Sequence, residues 1–219
     1  MKVFAITLFV FSFFSCVNKK VEPHSFEIDL PKDYATTEFI FGVKKIGKHI
    51  GLDSLTKPSD TFRLRITIGF GIAAGINIYE IKYLDSTWSG VHYFFQGKAF
   101  IRSYLKNRQH DGFNDEKDSV WIAKKFTPLC GWKNFIDTIN SSGVLNIRDV
   151  NEIPDYNVVS LDGDSYVFEW SSKTKYRYYT FDGFSNSECV ENKIFQKFKS
   201  FFISQLGFFE ICWPNCWIN

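Results

Sequence analysis

From Phe26 onward the chain is dominated by a two-residue alternation of apolar and polar positions, the period of a half-buried β-strand. Phe62, Leu64, Ile66, Ile68 and Phe70 interleave with Arg63, Arg65, Thr67 and Gly69, which predicts a strand with one apolar and one polar face. Ile76 and Ile78 open a second strand. Its apolar set then moves to Tyr79, Ile81 and Tyr83, against Glu80 and Lys82, and this change of phase predicts a bulge near Ile78. The runs 91–95, 98–105 and 120–126 continue the series, with a polar loop over 107–118 between the last two. Tyr166, Phe168 and Trp170 alternate with Val167 and Glu169, and the run 176–181 follows after 171–175, which reads as a hairpin with a five-residue loop. A symmetric fold of that loop sets Glu169 opposite Arg177 as a cross-strand charge pair.

Two segments change to the helical period. Trp132, Phe135, Ile136 and Ile139 fall on one face, and Ser141-Ser142-Gly143 supplies a stop. Ser185-Asn186-Ser187-Glu188 matches a capping box, after which Val190, Ile194, Phe198, Phe201 and Phe202 form an apolar stripe that Gly207 ends. Strands, a helix, a hairpin and a second helix, in that order, predict an α+β fold: a mostly antiparallel sheet with two helices packed on it.

The start of the chain follows another plan. Lys2 precedes a short apolar run over 3–14, then Ser15 and Cys16, then polar Asn18, Lys19 and Lys20. The run is too short to span a bilayer and has the layout of a secretory signal. Phe13-Phe14-Ser15-Cys16 resembles the Leu-x-small-Cys signal of bacterial lipoproteins, with Phe in the place of Leu. The resemblance implies that residues 1–15 are removed and that Cys16 receives a diacylglycerol, its acyl chains anchoring the mature protein in a membrane. Residues 16–25 then form a lipidated tether and residues 26–219 a single globular domain.

Composition narrows the function. With 26 Lys+Arg against 24 Asp+Glu the net charge is +2, too little for a basic field, so nucleic acid is not expected as the partner. Phe, Tyr and Trp make up 19% of the chain, most of it expected in the core. Trp213 and Trp217, near the end, form a candidate docking patch. Cys130, Cys189, Cys212 and Cys216 permit two disulfides in an exported protein. Three connectivities are open: one brings Cys212 and Cys216 together across the turn-forming Trp213-Pro214-Asn215 and pairs Cys130 with Cys189; four buried, reduced thiols are the alternative.

No catalytic, cofactor or metal residue is assigned. The glycine-rich stretch 69–75 misses the dinucleotide spacing by one position and leads into a strand, which makes it a hairpin connection. The acids at Asp111, Asp115, Glu116 and Asp118, and those of Asp162-Gly163-Asp164, match no calcium-loop pattern. No serine occupies a nucleophile elbow, and no cysteine has a histidine nearby in sequence.

From Gly131 to Phe181 the chain is similar to short uncharacterised lipoproteins and exported proteins of Bacteroidota. The matching residues are Trp132 and Phe135, then Asp162-Gly163 and Ser165-Tyr166 leading to Glu169, then Tyr176-Arg177 and Tyr179. The resemblance implies an envelope location and an α+β domain, and it brings no activity. Residues 17–22 contain one acid, Glu22, unlike the acidic run that marks surface export in some of these lipoproteins, so a periplasm-facing anchor is expected. The leading expectation is a non-enzymatic envelope lipoprotein that binds a protein or envelope component. The alternatives are an envelope hydrolase with a loop-assembled site around His92 or His110, and an immunity-type or inhibitor protein.

Overall fold

The computed structural model describes residues 25–35, 43–70, 76–96, 120–156, 164–183 and 185–206. Its centre is a seven-stranded sheet made from β1 (Glu27–Asp29), β2 (Phe62–Phe70), β3 (Ile76–Leu84), β4 (Thr87–Gln96), β5 (Val120–Phe126), β6 (Asp164–Ser171) and β7 (Lys175–Asp182). The strand order is β1-β7-β6-β2-β3-β4-β5, and every pairing is antiparallel except β1 with β7. Among the described residues three α-helices accompany it: α1 (Val43–His49), α2 (Gly131–Ser142) and α3 (Val190–Leu206). The fold is α+β, as the periodicity predicts.

The helices divide between the two faces. α2 and α3 cover the face formed by Leu64, Ile66 and Ile68 of β2, Tyr79 and Ile81 of β3, Tyr166 and Phe168 of β6, and Tyr179 and Phe181 of β7. Phe135 and Ile139 of α2 and Phe195, Phe198 and Phe202 of α3 complete this core. Its aromatic rings meet at defined angles: Phe168 lies parallel to Tyr179 with centroids 4.8 Å apart, and Phe198 meets Phe168 edge-on at 5.5 Å. On the opposite face Val43 of α1 and Leu55, in the segment that leads from α1 to β2, pack on Val167, Tyr176 and Tyr178. The sheet is therefore covered on both sides over β2, β6 and β7.

Local chemistry explains the ends of several elements. Gly143 closes α2 with a left-handed backbone, φ 81°, which glycine adopts without steric cost. Asp85 and Ser86 both have positive φ, 50° and 61°, and form the two-residue turn whose twist suits the β3–β4 hairpin. That turn lets β4 begin at Thr87, four residues earlier than the apolar run at 91–95 implies. Gly90 is required by packing: a Cβ there would lie 2.5 Å from Phe126 and 2.7 Å from Trp132.

Four expectations need correction. The bulge near Ile78 is absent, because the β2–β3 register runs unbroken from Phe62↔Tyr83 to Gly69↔Ile76. Ile78 is buried on the face it shares with Glu80, so the phase shift in the sequence reflects a strand covered on both sides. The β6–β7 hairpin is offset by one residue: Glu169 faces Tyr178 and Trp170 faces Arg177. Because side chains alternate, that slip puts Glu169 and Arg177 on opposite faces and dissolves their predicted pair. Arg177 donates to the carbonyls of Leu145 and Ile147 instead.

The capping box does not form either. α3 begins at Val190, with the Cys189 Sγ accepting from the Asn192 N–H at 3.4 Å. Its buried side chains are Asn192, Phe195, Phe198 and Phe202, whereas Val190 is exposed. The runs 98–105 and 107–118 lie outside the described residues. Phe135, fully buried where α2 meets the Phe201 and Phe202 rings, gives a direct test of this core. Phe135→Ala should cost ~3–5 kcal/mol of unfolding free energy, measured by urea denaturation.

Candidate functional site

The main concentration of charge in the described residues lies inside the fold, on the sheet face beneath α1. In the register of β3, β2, β6 and β7, Glu80, Arg65, Glu169 and Tyr178 line up in one transverse row. Lys82, Arg63, Ser171 and Tyr176 form the next. The period-two pattern identified Arg63, Arg65, Glu80, Lys82 and Glu169 as polar positions; here Arg65, Glu80 and Glu169 are each at most 4% exposed.

Glu80 is the hub. Its Oε1 accepts from the Nη2 of Arg63 at 2.9 Å and from the Nη2 of Arg65 at 3.0 Å, and its Oε2 lies 2.9 Å from the Lys82 Nζ. Burial pushes the Glu80 carboxyl up, but the hydrogen bond from Lys82 and the charges of Arg65 and Lys82 outweigh it and hold the group below the ordinary carboxylate value. Arg65 continues the chain of charges, with Nη1 3.5 Å from the Glu169 Oε2 and Nη2 donating to the Asp53 carbonyl at 3.0 Å. Glu169 Oε1 accepts from the Tyr176 hydroxyl at 2.9 Å, and burial raises that hydroxyl's pKa together with the Glu169 charge.

Among the described residues, the buried Arg63 Nε, Arg65 Nε, Thr67 Oγ1 and Ser171 Oγ of these rows and the neighbouring one have no hydrogen-bond partner, and the Glu80 Oε2 and Glu169 Oε2 have ion-pair contacts alone. The loop after α1 closes over the rows through Asp53, whose carboxylate lies 3.5 Å from Arg63. With its carboxylates and guanidinium groups paired, the network fixes the register of four strands and ties α1 to the sheet. A shallow depression of about 340 Å³ is lined elsewhere, by Lys32, Asp33, Asn151 and Glu152. Beside it Asp149 accepts from the Thr180 N–H at 2.7 Å and its hydroxyl at 2.9 Å, a buried clamp on β7. Burial raises the Asp149 carboxyl above its ordinary value despite those hydrogen bonds.

The residues singled out from the sequence fall in several places. His92 sits in the middle of β4, within the strand expected over 91–95, and is buried against the helix-covered core. Its ring lies parallel to Tyr79 at 4.2 Å, and its Nε2 is 2.8 Å from the Asn77 Oδ1. Burial, helped by the charge of Lys124, pushes the imidazole down from 6.5 to about 4.

Cys130 and Cys189 are free thiols, so of the open pairings the one between these two is not formed. Cys130 stands at the C-terminal end of α3, bonded through its N–H to the Gln205 Oε1, and Cys189 caps the N-terminal end. Seventeen helical residues separate the two ends by ~25 Å. Asp164 pairs with Lys199 at 3.3 Å, and among the described residues no group of three or more His, Cys, Asp or Glu could hold a metal. Cys16, His110, Cys212, Trp213, Cys216, Trp217 and the acids 111–118 lie outside the described residues.

Comparison with protein-family models, with curated proteins and with solved structures gave no match.

Two outcomes follow from the buried charges. Arg65→Met leaves Glu80 and Glu169 without the cation between them, and should cost ~3–5 kcal/mol in denaturant unfolding. For His92 the unfolded chain takes up a proton below pH 6.5, while the native state resists until about pH 4. The native state therefore loses ~3 kcal/mol as pH falls through this window. His92→Gln should make the stability curve measurably flatter than wild type between those two pH values.

Proposed function

We propose that this chain is a membrane-anchored envelope lipoprotein, without enzymatic activity, whose α+β domain binds a protein or another envelope component on the periplasmic side. The observation that carries this reading is in the sequence: a charged start, an apolar run over 3–14, and Cys16 immediately after Ser15 where that run ends. The tether that follows is short, since the first described strand begins at Glu27. An acylated Cys16 would therefore hold the sheet close to the bilayer surface. Two or three acyl chains, at ~0.8 kcal/mol per buried CH₂, make a stable anchor without a spanning helix. Among the described residues no helix is long and apolar enough to cross a membrane.

A binding role agrees with how the buried charged side chains are used. Arg63, Arg65, Glu80 and Glu169 bond to one another, and Asp149 bonds to β7, so these groups serve the rigidity of the sheet. A rigid sheet of this kind presents its loops and edges as fixed surfaces.

The intact mass of the protein extracted from its native membrane tests the anchor. The expected mass lacks residues 1–15 and carries added acyl groups, and Cys16→Ala should move the protein out of the detergent phase. An unprocessed chain without acyl mass overturns the reading. For the binding role, native pull-down from solubilised envelope should return a reproducible partner. Turnover in a hydrolase panel with no partner recovered would replace binding by catalysis.

A further inference from the structure

One hydrogen bond marks where the chain enters the sheet. The Glu27 N–H donates to the Thr174 carbonyl at 2.8 Å, in the turn between β6 and β7. That turn lies at the end of the sheet where β2 begins, since Arg63 faces Ser171. β3 ends and β4 begins at the same end: Phe62 pairs with Tyr83, and Tyr83 with Trp88. The chain therefore joins the sheet at the end that carries the tip of the β3–β4 hairpin.

That tip combines amphipathic aromatic rings with a bare leucine. Leu84, beside the Asp85-Ser86 turn, is 57% exposed, and Tyr83 is exposed as well. The half-buried Trp88 ring lies 4.7 Å from Tyr83 and 5.9 Å from Phe62, and Phe62 stacks in turn on Trp170. Tyr83 and Trp88 thus stand on a fixed aromatic base. The charges around them are matched locally, Lys82 by Glu80 and Lys173 by Asp60. Tyrosine and tryptophan, with an apolar body and a polar tip, favour the headgroup level of a bilayer, and an exposed leucine favours the acyl boundary beneath it.

We propose that the β3–β4 hairpin tip, through Tyr83, Leu84 and Trp88, docks into the headgroup layer of the bilayer that holds an acylated Cys16. The inference rests on the anchor proposed above and adds the orientation of the domain to it. The eleven residues from 17 to 27 reach ~38 Å when extended. β1 and β4 are five strand spacings apart in the sheet, ~24 Å. Anchor and tip can therefore rest on one membrane surface. The anchor supplies a high local concentration of bilayer, so a contact of three side chains is enough to set the orientation. Because the nearby charges are paired, the contact is held by burial and not by attraction to anionic lipid.

The test uses the full acylated chain reconstituted in phosphatidylcholine vesicles, with and without lipid brominated near the headgroup as a quencher. Brominated lipid should quench part of the emission of the six tryptophans, and high salt should leave that quenching in place. The quenched part should disappear in Trp88→Phe. Leu84→Asp, at an exposed position, should reduce it without moving the urea midpoint, which separates loss of docking from loss of fold. Vesicle flotation and intact mass read the anchor in the same samples. Acylated protein that floats unquenched overturns the docking and leaves the anchor standing. Quenching that persists in both variants, or that salt abolishes, also overturns the docking. A chain without acyl mass overturns the anchor and this orientation with it.

Discussion

Charges inside a covered sheet must neutralise one another, and the arrangement of Glu80 between Arg63, Arg65 and Lys82 is how this fold meets that constraint. A sheet open to water on one side can leave such residues to solvent. Here α1 and the loop through Asp53 and Leu55 close that side over β2, β6 and β7. The carboxylates then have to find cations across the strands, which they do only in one register. A shift of β2 by one residue would turn Arg63 and Arg65 into the aromatic core and bring Leu64 and Ile66 among the charges. The ionic rows therefore contribute more to specifying the pairing than to net stability, since desolvation offsets much of the attraction between buried ions.

The opposite face works by a different physics. Phe168, Tyr179, Phe195, Phe198 and Phe202 bury large areas per residue and meet at defined ring angles, so α3 is located by shape and by apolar burial. His92 belongs to this side: flat against Tyr79, it acts as an aromatic spacer whose neutral form is held by burial. The two faces share β2, whose even positions enter the aromatic core and whose odd positions enter the ionic rows. Disturbing one face of that strand thereby shifts the frame on which the other is built.

How far the sequence could be read follows from these two kinds of packing. The apolar alternation of β2, β6 and β7 and the i, i+3, i+4 pattern of α2 were legible, because each has one distinctly apolar side. The burial of Arg65, Glu80 and Glu169 was not. It depends on α1, a seven-residue helix in which only Val43 and Ile46 are large and apolar, too short a pattern to announce that it covers a sheet. The available signal was indirect: ionisable residues at corresponding positions of neighbouring strands, with Arg63, Arg65, Glu80, Lys82 and Glu169 on one face. The offset of the β6–β7 hairpin was hidden because loop length alone does not fix register. The Ser172 hydroxyl accepts from the N–H groups of Thr174 and Lys175 and tightens the turn, a contact that composition does not announce.

The same reasoning places functional variation away from the sheet. The central strands carry interlocking demands on both faces, so substitution there is limited by folding. The corner formed by Leu129, Cys130 and Gln205 carries few such demands: a backbone hydrogen bond and a glutamine side chain hold it, and an apolar side chain stands in solvent. A sheet anchored this firmly tolerates change at its corners and loops, and that is where a surface recognised by a partner can evolve without disturbing the charges buried beneath α1.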